Sequence, residues 1–373
     1  MKRERSEKKR VTTKRTVVAT PHQFLGLPCE LWQRLIWPLC GPAQGLAWAS
    51  VSQDWRALAL GAIQCFSPSK LPYSKRLYAS LTKSYLGQFQ ALSALHLDDR
   101  SMRVVSVVPA LLGLTRLKTL SVHSDTTTFY ADQLSMLTQL TALGAPRSYK
   151  FPFDALDSLP RLALLDIPYT HADAKLEEQL PKLTSLTFLR MDTYGGCISG
   201  DLLAPLTRLQ YLSLWRCRIG ESYDFLSRLH QLAFLDIGCA RSMHCVEPTM
   251  MTKLTALTSL NIDDAPVCSA TVMALATQLR VLRFGESRVW HARQCFGVDS
   301  LVRDTELARR LSHVRLIYEP VMLGVEIPQS LKDARLEVGG DQRELAAFRG
   351  WMTPLPPDYF NLAYDNALSL FVH

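Results

Sequence analysis

The chain has 373 residues, of which 47% are apolar and 20% are charged, so most of it is expected to fold around a sizeable core. Its formal net charge of +8 would indicate a nucleic-acid-binding protein if that charge lay on the folded part of the chain. Residues 1–15 hold eight basic and two acidic side chains, a net +6 out of the total +8. The rest of the chain is therefore almost neutral, which excludes a strongly basic folded body, and nucleic acid is not expected as its partner.

Residues 1–22 form a basic tail without an apolar face and are predicted to be disordered. Such a run is compatible with a nuclear-localisation signal, a weak nucleic-acid contact or a solubilising tail. No apolar segment typical of a signal peptide follows it, and the most apolar stretch, residues 104–114, is too short to span a membrane. Nine cysteines without a Cys-x-x-Cys pair favour reduced thiols and a cytoplasmic or nuclear location.

Residues 23–66 are predicted to form a small helical module. In "LPCELWQRLI" (27–36), Pro28 suits the first position of a helix and Glu30 suits the positive end of the helix dipole. Leucines recur there every four residues, and a second apolar segment at 45–62 also has helical spacing.

This module resembles the F-box, whose usual pattern is Leu-Pro-x-Glu-Leu, a helix, and then Val-(Ser/Cys)-x-x-Trp-Arg. The resemblance implies docking on a Skp-family adaptor of a cullin–RING ubiquitin ligase, with leucines lying in the groove of that adaptor. The adaptor-binding residues that it implies are Leu27, Pro28, Glu30, Leu31, Leu35, Ile36, Leu39, Val51 and Trp55. The alternative is that the same residues only cap the domain that follows.

From residue 89 the pattern Leu-x-x-Leu-x-x-Leu-x-apolar recurs nine times, in steps of 22 to 25 residues. Residues 89–340 therefore resemble the leucine-rich-repeat family, in which each repeat gives a short strand, a turn and a returning arc. The implied fold is an α/β solenoid over residues 67–340, with parallel strands on its concave face. The central leucines of the copies are Leu92, Leu117, Leu140, Leu162, Leu186, Leu209, Leu232, Leu257 and Leu279.

The repeats become less regular toward the end of the chain. Residues 286–306 read as an insertion, and "LSHVRLI" (311–317) and "LKDARLEV" (331–338) read as two degenerate last coils. Residues 341–373 are rich in aromatic side chains and are predicted to cap the open core of the last repeat. With only three asparagines, the chain cannot build an asparagine ladder between coils, so irregular convex arcs are expected.

Side chains that alternate with the inward-pointing leucines are expected to face solvent on the concave side. In three successive coils these positions hold Phe188, Tyr211 and Phe234, whose strands are close enough for the rings to stack. Aromatic and arginine side chains often dominate the binding energy of protein interfaces. The predicted substrate-binding residues are Phe188, Arg190, Tyr211, Trp215, Phe234 and Asp236. The alternative is that the rings only shield the sheet.

No motif of catalysis or nucleotide binding is present, so no catalytic residue is predicted. "CARSMHC" (239–245) brings two cysteines and a histidine together but lacks an evident fourth zinc ligand, so neither a metal nor another cofactor is expected. The prediction is a non-enzymatic substrate adaptor whose repeats bind an unknown protein substrate. The alternatives are a repeat scaffold without a ubiquitin role and a nuclear, nucleic-acid-associated protein that uses the basic tail.

Overall fold

A computed structural model gives the architecture of most of the repeat region. It describes residues 23–24, 27–28, 65–66, 91–98, 111, 114, 116–123, 134–145, 151–170, 174–193, 197–220, 222–239, 246–285, 296, 298–319 and 336–338. The chain forms two compact units, residues 1–63 and residues 64–373.

In the first unit, β1 (Gln23–Phe24) pairs antiparallel with β2 (Leu27–Pro28). The sequence predicted that a helix begins at Pro28, whereas Leu27 and Pro28 form a short strand. The remaining predicted adaptor-binding residues lie outside the described part of the chain.

The second unit is built on one parallel sheet of twelve strands that follow each other in chain order. Its strands are β3 (Cys65–Phe66), β4 (Ala94–Asp98), β5 (Thr119–His123), β6 (Ala142–Gly144), β7 (Leu164–Thr170), β8 (Phe188–Thr193), β10 (Tyr211–Ser213), β12 (Phe234–Asp236), β13 (Ser259–Asn261), β14 (Val281–Gly285), β15 (Arg315–Glu319) and β16 (Leu336–Val338). A separate parallel pair joins β9 (Cys197–Ile198) to β11 (Arg218–Ile219). This topology confirms the α/β leucine-rich-repeat solenoid and the strands expected in the two degenerate coils. It also adds β3, in residues assigned from the sequence to the helical module.

The repeat builds the interior of each coil in the same way. The nine central leucines all expose 1% or less of their surface. Each Leu-x-x-Leu step is closed by a turn: the amide N–H of Leu209 donates to the carbonyl of Leu206 over 3.1 Å, and Leu232 bonds Leu229 in the same way over 3.0 Å. The turn aims both leucines into the coil, and burial of a leucine side chain stabilises the fold by roughly 1.5–3 kcal/mol.

The arcs that return the chain are short and of mixed type, as expected. In the described part of the chain, the 3₁₀ helices are Phe153–Ser158, Leu180–Lys182, Gly200–Leu202 and Asp224–Arg228, and the α-helices are α1 (Ala174–Gln179), α2 (Pro248–Met251), α3 (Ser269–Leu275), α4 (Val298–Arg303) and α5 (Thr305–Arg310). The longest of these, α3, has seven residues. Among the described residues no helix combines the length and apolar character that a membrane span requires.

Part of the predicted insertion at 286–306 is helical, and Phe296 near its middle packs into the solenoid. Phe296 is buried and meets Phe284 of β14 edge to face, with ring centroids 5.1 Å apart. The helix α5 begins at a conventional cap, since the carboxylate of Asp304 accepts from the amide N–H of Leu307 over 2.9 Å.

Beyond three successive strands the chain makes the same left-handed turn. Arg216, Cys239 and Asp264 each lie five residues after the start of β10, β12 and β13, and their φ angles are 60°, 53° and 49°. Main-chain hydrogen bonds join neighbouring coils here, since the amide N–H groups of Arg216 and Cys239 donate to the carbonyls of Gly238 and Asp263. The thiol of Cys217, at the position of the missing ladder, donates to the carbonyl of Met191 over 3.5 Å.

Candidate protein-binding face

The parallel register brings the predicted aromatic side chains into one row. Phe188, Tyr211 and Phe234 are direct partners on β8, β10 and β12. Their rings stack nearly parallel, with centroid separations of 4.1 Å and 4.3 Å. The predicted aromatic ladder is therefore confirmed, and it follows from the strand spacing of about 4.8 Å.

The ladder is the centre of a longer apolar row. We call this row the apolar column; its members are Ala142, Leu164, Phe188, Tyr211, Phe234 and Val281, with Ser259 at the same register on β13. It lies on the opposite side of the strands from the interior leucines, because side chains alternate along a strand. The prediction that these side chains face solvent is wrong: the three rings expose only 6%, 9% and 6% of their surface.

A second row runs beside the apolar column and contains polar and charged side chains. We call it the polar chain; its members are Asp166, Arg190, Ser213, Asp236, Asn261 and Arg283. All of them except Asp236 are buried. The row occupies the position two residues after the apolar column, on the same face.

Arg190 and Asp166 form a buried, two-bonded ion pair between β8 and β7. The Nε of Arg190 donates to one carboxylate oxygen over 2.6 Å, and its Nη2 donates to the other over 2.8 Å. Both side chains expose only 6% of their surface. Such a pair fixes geometry strongly, because removal of either partner leaves a buried charge alone.

Asp236 is the centre of the other half of the polar chain. Its carboxylate accepts three hydrogen bonds of 3.0 Å, from the hydroxyl of Ser213, the amide N–H of Gly238 and the side-chain amide of Asn261. Loss of hydration raises the pKa of Asp236 above the ordinary aspartate value, although these donors and the nearby charge of Arg283 oppose the rise.

Trp215 lies in the turn after β10, half-buried, beside the same carboxylate network. A Cβ atom on Gly238 would lie only 2.5 Å from Cζ3 of Trp215, so the indole packs directly on the glycine backbone. The guanidinium carbon of Arg216 is 6.0 Å from the centroid of the indole ring, at the outer limit of a cation–π contact.

The six predicted substrate-binding residues thus fall into three groups: the aromatic ladder, Arg190 with its partner Asp166, and Trp215 next to Asp236. Their binding role stays a prediction. Asp166, Ser213, Asn261 and Arg283 lie on this face but were not among the predicted substrate-binding residues. The sequence could have indicated them as binding residues, because they occupy the same position of the repeat as Arg190 and Asp236.

Of the Cys-His cluster at 239–245, the structure describes only Cys239. Burial, followed by the charges of Asp263 and Asp264, raises the pKa of the Cys239 thiol to about 12. A thiol with so high a pKa is a poor nucleophile and a poor metal ligand. Within the described ranges, no group of three or more histidine, cysteine or acidic residues could hold a metal ion.

Comparison with solved structures supports the fold and leaves the family open. A chain of the yeast Rad7–Elc1 complex matches with a TM-score of 0.53 and 19% identity, covering 79% of each chain. An internalin from Listeria monocytogenes matches with a TM-score of 0.44 and 14% identity, covering 72% of this chain and 94% of its own. A leucine-rich-repeat protein of Leptospira interrogans matches with a TM-score of 0.43 and 15% identity, covering 72% of this chain and 75% of its own. No protein-family model and no curated protein matches the sequence.

Proposed function

We propose that this protein is a non-enzymatic substrate adaptor. In this proposal the F-box-like module at 23–66 docks on a Skp-family adaptor, and the concave face of the repeats binds a protein substrate for ubiquitination. The observation that carries the proposal is the aromatic ladder with the polar chain beside it, held in register on one rigid sheet.

That arrangement suits protein recognition for a physical reason. Stacked rings lose little conformational freedom on binding, and fixed charges beside them select the orientation of a partner. The main-chain hydrogen bonds between parallel strands fix the position of each side chain. The surface is therefore organised before a partner binds.

The ubiquitin part of the proposal rests on the module, whose leucines recur at helical spacing in a pattern that resembles the F-box. A helix with apolar anchors at such positions is a common ligand for a hydrophobic groove. Rad7 is found in complex with Elc1, but at 19% identity that likeness supports only the fold of this chain.

The adaptor step is tested with purified proteins. Wild-type protein is titrated with a Skp-family adaptor by calorimetry, in parallel with Leu31→Asp and Leu35→Asp. A charge at an apolar anchor should reduce the affinity at least 100-fold, because the groove cannot hydrate the carboxylate. Met136→Asp is the matched control, since Met136 exposes 61% of its surface in the repeat domain and the change should leave affinity unaltered.

A wild-type protein that does not bind any Skp-family adaptor would remove the ubiquitin role and leave a repeat scaffold. The substrate step is tested separately, by proteomics of the proteins that accumulate when this protein is lost. Re-expression of the wild type should reverse that accumulation, whereas Trp215→Ala should fail to do so and Met136→Ala should succeed.

A further inference from the structure

One edge of the large sheet carries almost no negative charge. The strands β5, β6, β7, β8, β10, β12, β13 and β14 are parallel neighbours, so the eight residues before each of them lie along the edge where the strands begin. Those segments contain eight basic residues and one acidic residue, Asp157. We call the eight basic residues the basic edge; its members are Arg116, Lys118, Arg161, Lys182, Arg208, Arg228, Lys253 and Arg280. All of them are exposed.

The basic edge shows that charge is separated within the folded part of the chain. Residues 16–373 carry a net charge of +2, whereas the basic edge together with Asp157 carries +7. The other residues outside the tail therefore carry a net charge of −5. The nearly neutral total conceals a strongly positive edge, and such an edge attracts negatively charged partners.

Most cations of the basic edge are open to a partner. Among the described residues, its ion pairs are confined to Lys182, whose Nζ lies 3.3 Å from a carboxylate oxygen of Asp157 and 3.3 Å from one of Glu178. Arg161 donates over 2.7 Å to the side-chain oxygen of Gln139, which is a neutral acceptor. The one carboxylate that belongs to these segments is thus bound by an edge cation, and most of the other cations have none.

The basic edge has the dimensions of a single extended chain. Seven steps of about 4.8 Å separate β5 from β14, so the row is about 34 Å long. About ten residues of extended peptide cover that length. Every coil of the row contributes one or two cations, except that of β6. A narrow row of this kind fits one linear chain with repeated negative charge.

The chemistry of the edge favours a peptide over a nucleic acid. Five of the eight cations are arginines, whose planar guanidinium donates two parallel hydrogen bonds to one carboxylate. Phosphate accepts similar bonds, but proteins that bind single-stranded nucleic acids also stack the bases on aromatic side chains. The eight segments contain no phenylalanine, tyrosine or tryptophan. A duplex would bring a second strand of phosphates toward residues whose net charge is −5.

We propose that the basic edge binds an extended, acidic segment of a protein partner. Its arginine and lysine side chains pair with glutamate or aspartate side chains of that segment. Because one exposed ion pair contributes little, binding needs several pairs at once. The proposal goes beyond the proposed function, since the edge lies outside the two rows of the concave face. It is tested on the purified full-length chain without adaptor, so its failure and that of the adaptor step are separate results.

The first test is fluorescence anisotropy with a labelled peptide of about ten glutamates, the length that spans the row. The edge variant combines Arg161→Gln, Arg208→Gln and Lys253→Gln. The control variant combines Lys175→Gln, Arg218→Gln and Arg303→Gln. Both remove the same charge from exposed positions and both keep the basic tail. We expect at least about a tenfold loss of affinity in the edge variant and less than about a twofold loss in the control.

Equal affinities of the wild type and the edge variant would overturn the proposal, because the peptide would then bind elsewhere, for example on the tail. A labelled oligothymidylate of about ten nucleotides, a polyanion of similar charge, is titrated in parallel. The edge substitutions should weaken its binding less than that of the glutamate peptide. An equal or larger loss for the oligonucleotide would overturn the assignment to a protein segment.

A second measurement locates the peptide on the wild-type chain. A carbodiimide joins a glutamate carboxylate to a lysine amine as an amide, with loss of water, and mass spectrometry identifies the lysine. Lys118 and Lys253 of the basic edge should react, whereas Lys175, which is also exposed, should react much less. The absence of crosslinks at Lys118 and Lys253, or an equal yield at Lys175, would contradict the proposal.

Discussion

The interior of the coils and the concave face are both buried, yet they are constructed differently. In the interior the same residue recurs, so that Leu186, Leu209 and Leu232 occupy equivalent places in successive coils and all expose 0% of their surface. On the concave face the side chain changes between neighbouring strands. The difference teaches that the repeat determines the stacking of coils, whereas individual residues determine what the concave face can recognise.

The largest expected effect comes from the ion pair of the polar chain. Arg190→Ala should lower the free energy of unfolding by about 4 kcal/mol, because it leaves the carboxylate of Asp166 buried without its two donors. The combined change Asp166→Leu with Arg190→Met should cost much less than Arg190→Ala alone. Urea denaturation of the two variants checks this, and a loss below about 1 kcal/mol for Arg190→Ala would show that water reaches the pair.

Substitutions in the interior of the coils should have the next largest effect on stability, and the effect should be similar in each coil. Leu209→Ala is expected to cost about 3 kcal/mol, since the alanine leaves a cavity in a fully enclosed site. Leu186→Ala and Leu232→Ala should give values within about 1 kcal/mol of it, because the three coils repeat. The measurement is again urea denaturation, and widely different costs would break the contrast between a uniform interior and a specific face.

A smaller effect is expected in the aromatic ladder. Tyr211→Leu removes two ring–ring contacts, at 4.1 Å and 4.3 Å, and should lower the free energy of unfolding by about 2 kcal/mol. Tyr211→Phe is the matched control, because it keeps both stacked contacts and should cost less than about 0.5 kcal/mol. Equal losses in the two variants would show that the hydroxyl group, rather than stacking, matters here.

The smallest effect is a change in pH dependence. Because the pKa of Asp236 is raised in the folded protein, the folded state keeps a proton that the unfolded chain has already released. Its contribution to stability is complete at low pH and is lost as pH rises from the ordinary aspartate value through the raised one. Asp236→Asn should remove this loss, so that the variant gains stability relative to wild type as pH rises through the range between the ordinary aspartate pKa and the raised one. Thermal unfolding curves that stay parallel over that range would contradict the prediction.

The sequence predicts the interior well and the face only in part. The spacing of Leu-x-x-Leu places every central leucine and the order of strands, because each coil repeats one local solution. It also predicts that Phe188, Tyr211 and Phe234 stack. It does not predict their burial, since the repeat spacing contains no information about what lies across the face. The ion pair of Asp166 with Arg190 could be predicted from the sequence, because opposite charges occupy one repeat position in neighbouring coils.

The left-handed turns at Arg216, Cys239 and Asp264 affect where the solenoid unfolds locally. Each of these residues has a Cβ atom that makes the conformation costly by about 1–2 kcal/mol, and only stacking on adjacent coils keeps it. Three such residues in consecutive coils strain the backbone between β10 and the start of α3. Amide hydrogen exchange should therefore detect a cooperative opening there at lower free energy than in the flanking coils.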